Sequence, residues 1–135
     1  MAEPWKDGAP RELSVRANIW AEIEGQVVLS AWRVQLLEAI EAAGSIRAAA
    51  SQMKITYDLA WHRIDEMESA LGAALVVRQR GGPKGGCASL TPLGCELVAR
   101  FNAFAARAGS VVEQLFRETF GEGDFRDFPD LGEGK

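Results

Sequence analysis

Apolar positions along this chain follow two different periods. From Leu13 they alternate with polar ones: Leu13, Val15, Ala17 and Ile19 are separated by Ser14, Arg16 and Asn18. A period of two predicts an extended strand. Gly25 separates this segment from Val27-Val28-Leu29, which predicts a hairpin or another short β-structure. After Ser30 the period changes. Val34, Leu37, Ile40 and Ala43 recur at helical spacing with Leu36 beside them, the apolar face of an amphipathic helix. Ser30 is its predicted N-cap and Gly44 its terminator. Ser45 caps a short alanine-rich helix from Ile46 to about Met53. Lys54-Ile55 makes a tight link, Thr56 caps a third helix from Tyr57 to about Leu71, and Gly72 stops it.

Leu75-Val76-Val77 and the segment Cys87 to Leu90 predict two strands around Gly81-Gly82-Pro83-Lys84-Gly85-Gly86. That glycine-rich run cannot sit inside a helix and predicts a flexible hairpin tip. Thr91-Pro92 supplies an N-cap followed by proline at the first helical position, opening a long helix to Phe120. On it Leu97, Phe101, Phe104, Ala108, Val111 and Leu115 alternate steps of four and three, and Val98, Ala105, Val112, Phe116 and Phe120 widen the stripe. A stripe this long exceeds what a domain of this size covers alone, so it predicts a partner helix and a homodimer through those six residues, the alternative being that the stripe lies only on its own core. Residues 1–12, with Pro4, Gly8 and Pro10, are expected to be flexible, and the acidic, glycine-rich segment 121–135 is expected to be disordered.

Composition narrows the class. The 135 residues suit one domain, and 47% hydrophobic content supports a core without staples. Two cysteines, Cys87 and Cys95, make no disulfide framework and are expected to be reduced thiols in the cytosol. Charges interrupt every apolar run before it could span a membrane, and residues 1–12 lack a secretory leader, so a cytoplasmic location is expected. No His or Cys cluster has metal-ligand spacing, so no metal or cofactor is expected. The net charge of −4 runs against the basic footprint of a nucleic-acid binder. Its distribution does not. From Val76 to Leu90 the charges are Arg78, Arg80 and Lys84 with no acid, while Glu118, Glu122, Asp124, Asp127, Asp130 and Glu133 crowd the last stretch against Arg126 and Lys135.

Three helices, a glycine-tipped hairpin and a final helix give the order of a winged helix-turn-helix. The fold class is mainly α with a small β-wing, residues 13–91 forming the winged domain with its N-terminal β-segment and residues 92–120 the dimerisation helix. Ala48, Ala49 and Ala50 let two helices cross closely, and Ala60, Ile64, Met67 and Leu71 form the buried face of the third helix. Asp58, Trp61, His62 and Asp65 lie opposite, on the face a major groove would meet, with Tyr57 in the first turn nearest the groove floor. Asp58 can accept from a cytosine amine yet repels phosphate. Trp61 is either a half-buried packing residue or a DNA contact. His62, the sole histidine, has no nucleophile or metal pattern beside it, which argues against an enzyme. Nor is the glycine-rich run a nucleotide-binding loop, since no Gly-Lys-Ser/Thr ending follows it.

Residues 31–104 resemble the DNA-binding domain of the bacterial molybdate-responsive (ModE-type) regulators, themselves similar to the amino-terminal domain of LysR-type regulators. The resemblance rests on Gly44-Ser45-Ile46 through Ala60-Trp61 and Ile64-Asp65-Glu66-Met67. It continues through Arg78, Gly81-Gly82, Gly85-Gly86 and Leu90-Thr91-Pro92-Leu93-Gly94 of the wing. It implies a sequence-specific regulator of transcription, linked to molybdenum metabolism, that binds double-stranded DNA as a dimer through its first and last helices. The DNA-contacting set it implies is Ser45, Thr56, Tyr57, Asp58, Trp61 and His62 in the helix-turn-helix with Arg78, Arg80 and Lys84 on the wing. Regulators of this type continue into a molybdate-binding domain; this sequence ends at Lys135, so no molybdate binding is expected from the chain alone. The competing class is a winged-helix protein-interaction module without DNA binding. The net negative charge, Asp58 and Asp65 favour it, and the basic wing opposes it.

Overall fold

A computed structural model describes residues 12–79 and 86–121. The expected flexible start, the hairpin tip with Arg80 and Lys84, and the acidic tail beyond Gly121 lie outside the described residues. Internal contacts divide the chain into one unit of Asn18–Ala106 and another of Met1–Ala17 with Arg107–Lys135.

The first unit opens on an antiparallel hairpin of β1 (Trp20–Ile23) and β2 (Gln26–Ser30). Its two-residue loop is Glu24-Gly25, both at positive φ, 50° and 80°, the geometry of the hairpin turn whose twist matches its strands. That turn fixes the register, with Trp20 opposite Ser30, and so corrects the strand expected at Leu13–Ile19. Because β2 ends opposite Trp20, residues 13–19 have no strand to pair with, and alternation alone does not hold a strand.

Ser30 then turns the chain into α1 (Ala31–Ala43), its Oγ accepting from the Arg33 amide at 3.2 Å. Ser45 and Thr56 do the same for α2 (Ile46–Gln52) and α3 (Tyr57–Leu71), accepting from the Ala48 and Leu59 amides at 3.0 and 3.1 Å. Each cap satisfies an amide that the helix leaves without a partner. Ala49 and Ala60, both fully buried, bring α2 and α3 together through side chains no larger than a methyl group. Leu36, Leu37 and Ile40 of α1 pack with Ile64 and Met67 of α3 in the same core, which Ile46, Ala50, Leu75, Val76 and Ala88 complete.

The wing pairs β3 (Val76–Gln79) with β4 (Cys87–Leu90), Val76 opposite Leu90. Three elements hold its base. Glu68 of α3 accepts from the Leu75 and Val76 amides at 2.8 and 3.1 Å. Glu41 of α1 accepts from the Leu90 amide at 2.9 Å, and the Gly44 carbonyl accepts from the Ala88 amide at 2.8 Å.

Helix α4 (Pro92–Phe120) starts where Thr91 donates its hydroxyl to the Ala74 carbonyl at 2.9 Å and accepts from the Gly94 amide at 3.0 Å. Gly94 is buried, and a Cβ there would collide with the Leu75 carbonyl oxygen. Gly94→Ala is therefore expected to lower stability by about 1–3 kcal/mol through forced backbone movement. Urea unfolding should show a lower midpoint with an unchanged slope; a midpoint equal to wild type contradicts the close approach.

The apolar stripe of α4 divides. Leu97 and Val98 pack against the core, and Phe101 is only 7% exposed. Phe101 therefore does not belong to a free partner-facing surface, and Leu97 is largely spent within the protomer: the Thr91 tether draws the first turns of α4 onto the domain. Phe104 remains 57% exposed. In the other unit Val111 and Leu115 are 56% and 55% exposed, Ala108 is half-buried, and the Phe116 and Phe120 rings stack at 4.7 Å. Among the described residues no helix is long and apolar enough to cross a membrane.

Candidate nucleic-acid interface

The starts of α2 and α3 and the strands of the wing bound a concavity of about 500 Å³. Four of its lining residues form a continuous chain of contacts. The Arg78 guanidinium of β3 lies 3.6 Å from the Trp61 ring centroid. Trp61 Nε1 donates to the Tyr57 hydroxyl at 2.6 Å, one helical turn away on α3. The Arg47 guanidinium of α2 lies 4.5 Å from the Tyr57 ring centroid. Stacks of cation on aromatic ring are worth about 0.5–2 kcal/mol each, so this chain ties wing, recognition helix and first helix of the motif into one surface.

Arg78 also pairs with Glu68, whose Oε1 is 3.6 Å from Nη2. That is an ion pair but too long for a hydrogen bond, and Arg78 Nε and Nη2 are buried with no hydrogen-bond partner. Arg78, expected among the DNA contacts of the wing, is thus packed between Trp61 and Glu68 with its side chain 29% exposed. Its side chain is a wall of the site, placed by Trp61 and Glu68. Trp61 is half-buried and packs against the core, so the packing alternative holds for it.

The concavity brings together Ser45, Tyr57, Trp61 and Arg78 of the predicted set, and adds Arg47, Gln79 and Cys87. Thr56, Asp58 and His62 are exposed but do not line it. The His62 Nδ1 lies 3.1 Å from the Asp58 carbonyl. A carbonyl only accepts, so this contact places a proton on Nδ1 and turns Nε2 outward, an acceptor when the ring is neutral. Asp65 is exposed farther along α3. Arg47 went unnoticed in the sequence although a signal exists. It is the sole charged residue of a helix that buries Ile46, Ala49 and Ala50, and so must project from the opposite side. Among the described residues no group of three or more His, Cys, Asp or Glu could hold a metal ion.

Residues 32–95 match the family model of bacterial regulatory helix-turn-helix proteins of the lysR family, a family of regulators and not of enzymes. The chain is 41% identical over 87 residues to the molybdenum transport protein ModE of Azotobacter vinelandii, which covers 64% of this chain and 32% of that protein. It is 42% identical, with the same coverage, to the molybdenum-pterin-binding protein MopB of Rhodobacter capsulatus. Over 73 residues it is 38% identical to the DNA-binding transcriptional dual regulator ModE of Escherichia coli K12, covering 54% of this chain and 28% of that one. The chain thus spans about a third of the length of the curated relatives it matches. The crystal structure of a CbnR_DBD–DNA complex superposes with a TM-score of 0.51 at 24% identity, covering 64% of this chain and 97% of that one. That likeness establishes the winged helix-turn-helix fold.

Proposed function

We propose, from the match of residues 32–95 to the lysR-family helix-turn-helix model, that the protein is a sequence-specific, double-stranded DNA-binding regulator of transcription that acts as a homodimer. The observation that carries the reading is the recognition helix itself. Its N-terminal half leaves Asp58 and His62 exposed beside a concavity lined by two arginines, in the domain that matches the family. A recognition helix reads base edges from such a face, while neighbouring cations hold the backbone.

In this assignment Asp58 and His62 meet base edges. The Asp58 carboxylate accepts from a cytosine amine, and the outward Nε2 of neutral His62 accepts likewise. Thr56 lies at the start of the same helix, within reach of the backbone. Arg80 and Lys84 on the wing act on phosphate or in the minor groove. The partner-facing positions are Phe104, Val111 and Leu115, with Ala108 between them. The names of the relatives support target genes of molybdenum handling, and the domain type supports a cytoplasmic site of action.

Selection of bound duplexes from a random pool tests the reading. The expected product is an inverted repeat whose half-site centres lie about one or two helical turns apart, because a two-fold dimer presents two recognition helices in that relation. A pool that stays unenriched overturns the sequence-specific reading and returns the protein-interaction module.

A further inference from the structure

The polarity of the hydroxyls around the concavity is fixed by their neighbours. An indole N–H can only donate, so the 2.6 Å contact from Trp61 Nε1 makes the Tyr57 oxygen an acceptor and directs its own proton elsewhere. A backbone N–H also only donates, so the Ala48 amide commits Ser45 Oγ as an acceptor at 3.0 Å and leaves the Ser45 proton to donate. Arg47, stacked on Tyr57, has donors alone. These three side chains line the same concavity, and no carboxylate lines it. Arg78 lines the concavity too, with its charge paired to Glu68 at 3.6 Å.

We infer that Ser45, Arg47 and Tyr57 form a donor cradle for one phosphodiester of the bound duplex, and that Trp61 is the positioning residue that fixes the Tyr57 hydroxyl as a donor toward it. This rests on the DNA-binding reading and reassigns Tyr57 from base edges to the backbone. Side-chain donors that line one concavity with no carboxylate among its lining residues suit an anionic oxygen pair, and charge-assisted hydrogen bonds are the strong ones. The sequence-reading work then falls to the exposed side chains of α3 outside the concavity, Asp58 and His62.

Binding titrations of wild type, Tyr57→Phe, Arg47→Gln, Trp61→Phe and the Trp61→Phe/Tyr57→Phe double variant test this, on preferred and random duplexes and on duplexes with single methylphosphonate substitutions. Tyr57→Phe is expected to weaken binding about five- to tenfold on preferred and random duplex alike. Arg47→Gln should reduce the salt slope by about one unit. Trp61→Phe keeps a ring beneath Arg78 but removes the indole donor, so the double variant should bind no more weakly than Tyr57→Phe alone. One methylphosphonate position per half-site should weaken wild type but leave Tyr57→Phe and Arg47→Gln without further loss. Loss confined to the preferred duplex, additive Trp61 and Tyr57 effects, or a scan with no such position overturns the cradle while duplex binding stands. Should Trp61→Phe not fold, the Tyr57 and Arg47 arms decide by themselves. Wild type that binds no duplex overturns the DNA-binding reading and the cradle together.

Discussion

Phe104→Glu combined with Leu115→Glu is expected to convert the protein to a folded monomer and to weaken its binding to an inverted repeat about a hundredfold. Both side chains are more than half exposed in the protomer, so their replacement removes no core contact and the domain should keep its unfolding midpoint. In a dimer, two carboxylates brought onto an apolar helix face would face the same pair across the two-fold axis. Desolvating them costs more than the lost apolar area returns. The loss of affinity follows from linkage: once one recognition helix is seated, the second acts at a high effective concentration, and avidity gains of about 10²–10⁴ are usual. Affinity for an isolated half-site should be unchanged. Sedimentation at micromolar concentration reads the first part and duplex titration the second. A wild-type monomer, or a double variant that remains a dimer, rejects the assignment of α4 as the contact between protomers.

The second large effect is expected at Glu68. Its carboxylate accepts from the Leu75 and Val76 amides at 2.8 and 3.1 Å and faces the Arg78 guanidinium. The side chain is 17% exposed and that of Arg78 is 29% exposed. Glu68→Ala therefore leaves two amides at the base of the wing without their acceptor and a largely enclosed cation without its counter-charge. Hydrogen bonds to charged groups contribute about 1.5–3 kcal/mol, and a stranded partner adds its own desolvation cost. The expected loss is about 3 kcal/mol, a large share of the stability of a domain this size. Both amides meet one oxygen, Oε2, so Glu68→Gln can still accept from both, loses mainly the charge that faces Arg78, and should lose less stability. Denaturant unfolding checks the order, Ala below Gln below wild type. Equal midpoints for all three would mean that the wing stands without Glu68.

These two sites differ in how far the sequence revealed them. The helix caps Ser30, Ser45, Thr56 and Thr91 were legible because a cap is a local event: the side chain bonds an amide within the next turn, and position alone announces it. The α4 stripe was legible as a stripe, but its division was not. Periodicity places Phe101 and Phe104 on one face, yet Phe101 is 7% exposed and Phe104 57%, a difference set by packing between elements that local spacing does not carry. Strand pairing is also non-local, which is why alternation from Leu13 to Ile19 predicted a strand that begins instead at Trp20. The same limit applied to charge. Counting Arg78 among the wing cations ignored Glu68 and Trp61, which meet it only after the wing has folded back on α3. Arg47 was overlooked for the opposite reason. The short helix was read for the alanines it buries, and its one exposed charge was passed over.

In the proposed function this domain binds duplex DNA through phosphate contacts around a recognition helix. Titration of wild type on a random duplex across a series of salt concentrations tests it most directly, because releasing counterions from phosphates makes log K fall linearly with log salt. Measurable binding at low salt is expected, with a slope of several units that falls by about one unit in each of Arg80→Ala and Lys84→Ala. No binding at low salt, or binding whose strength does not change with salt, would contradict it.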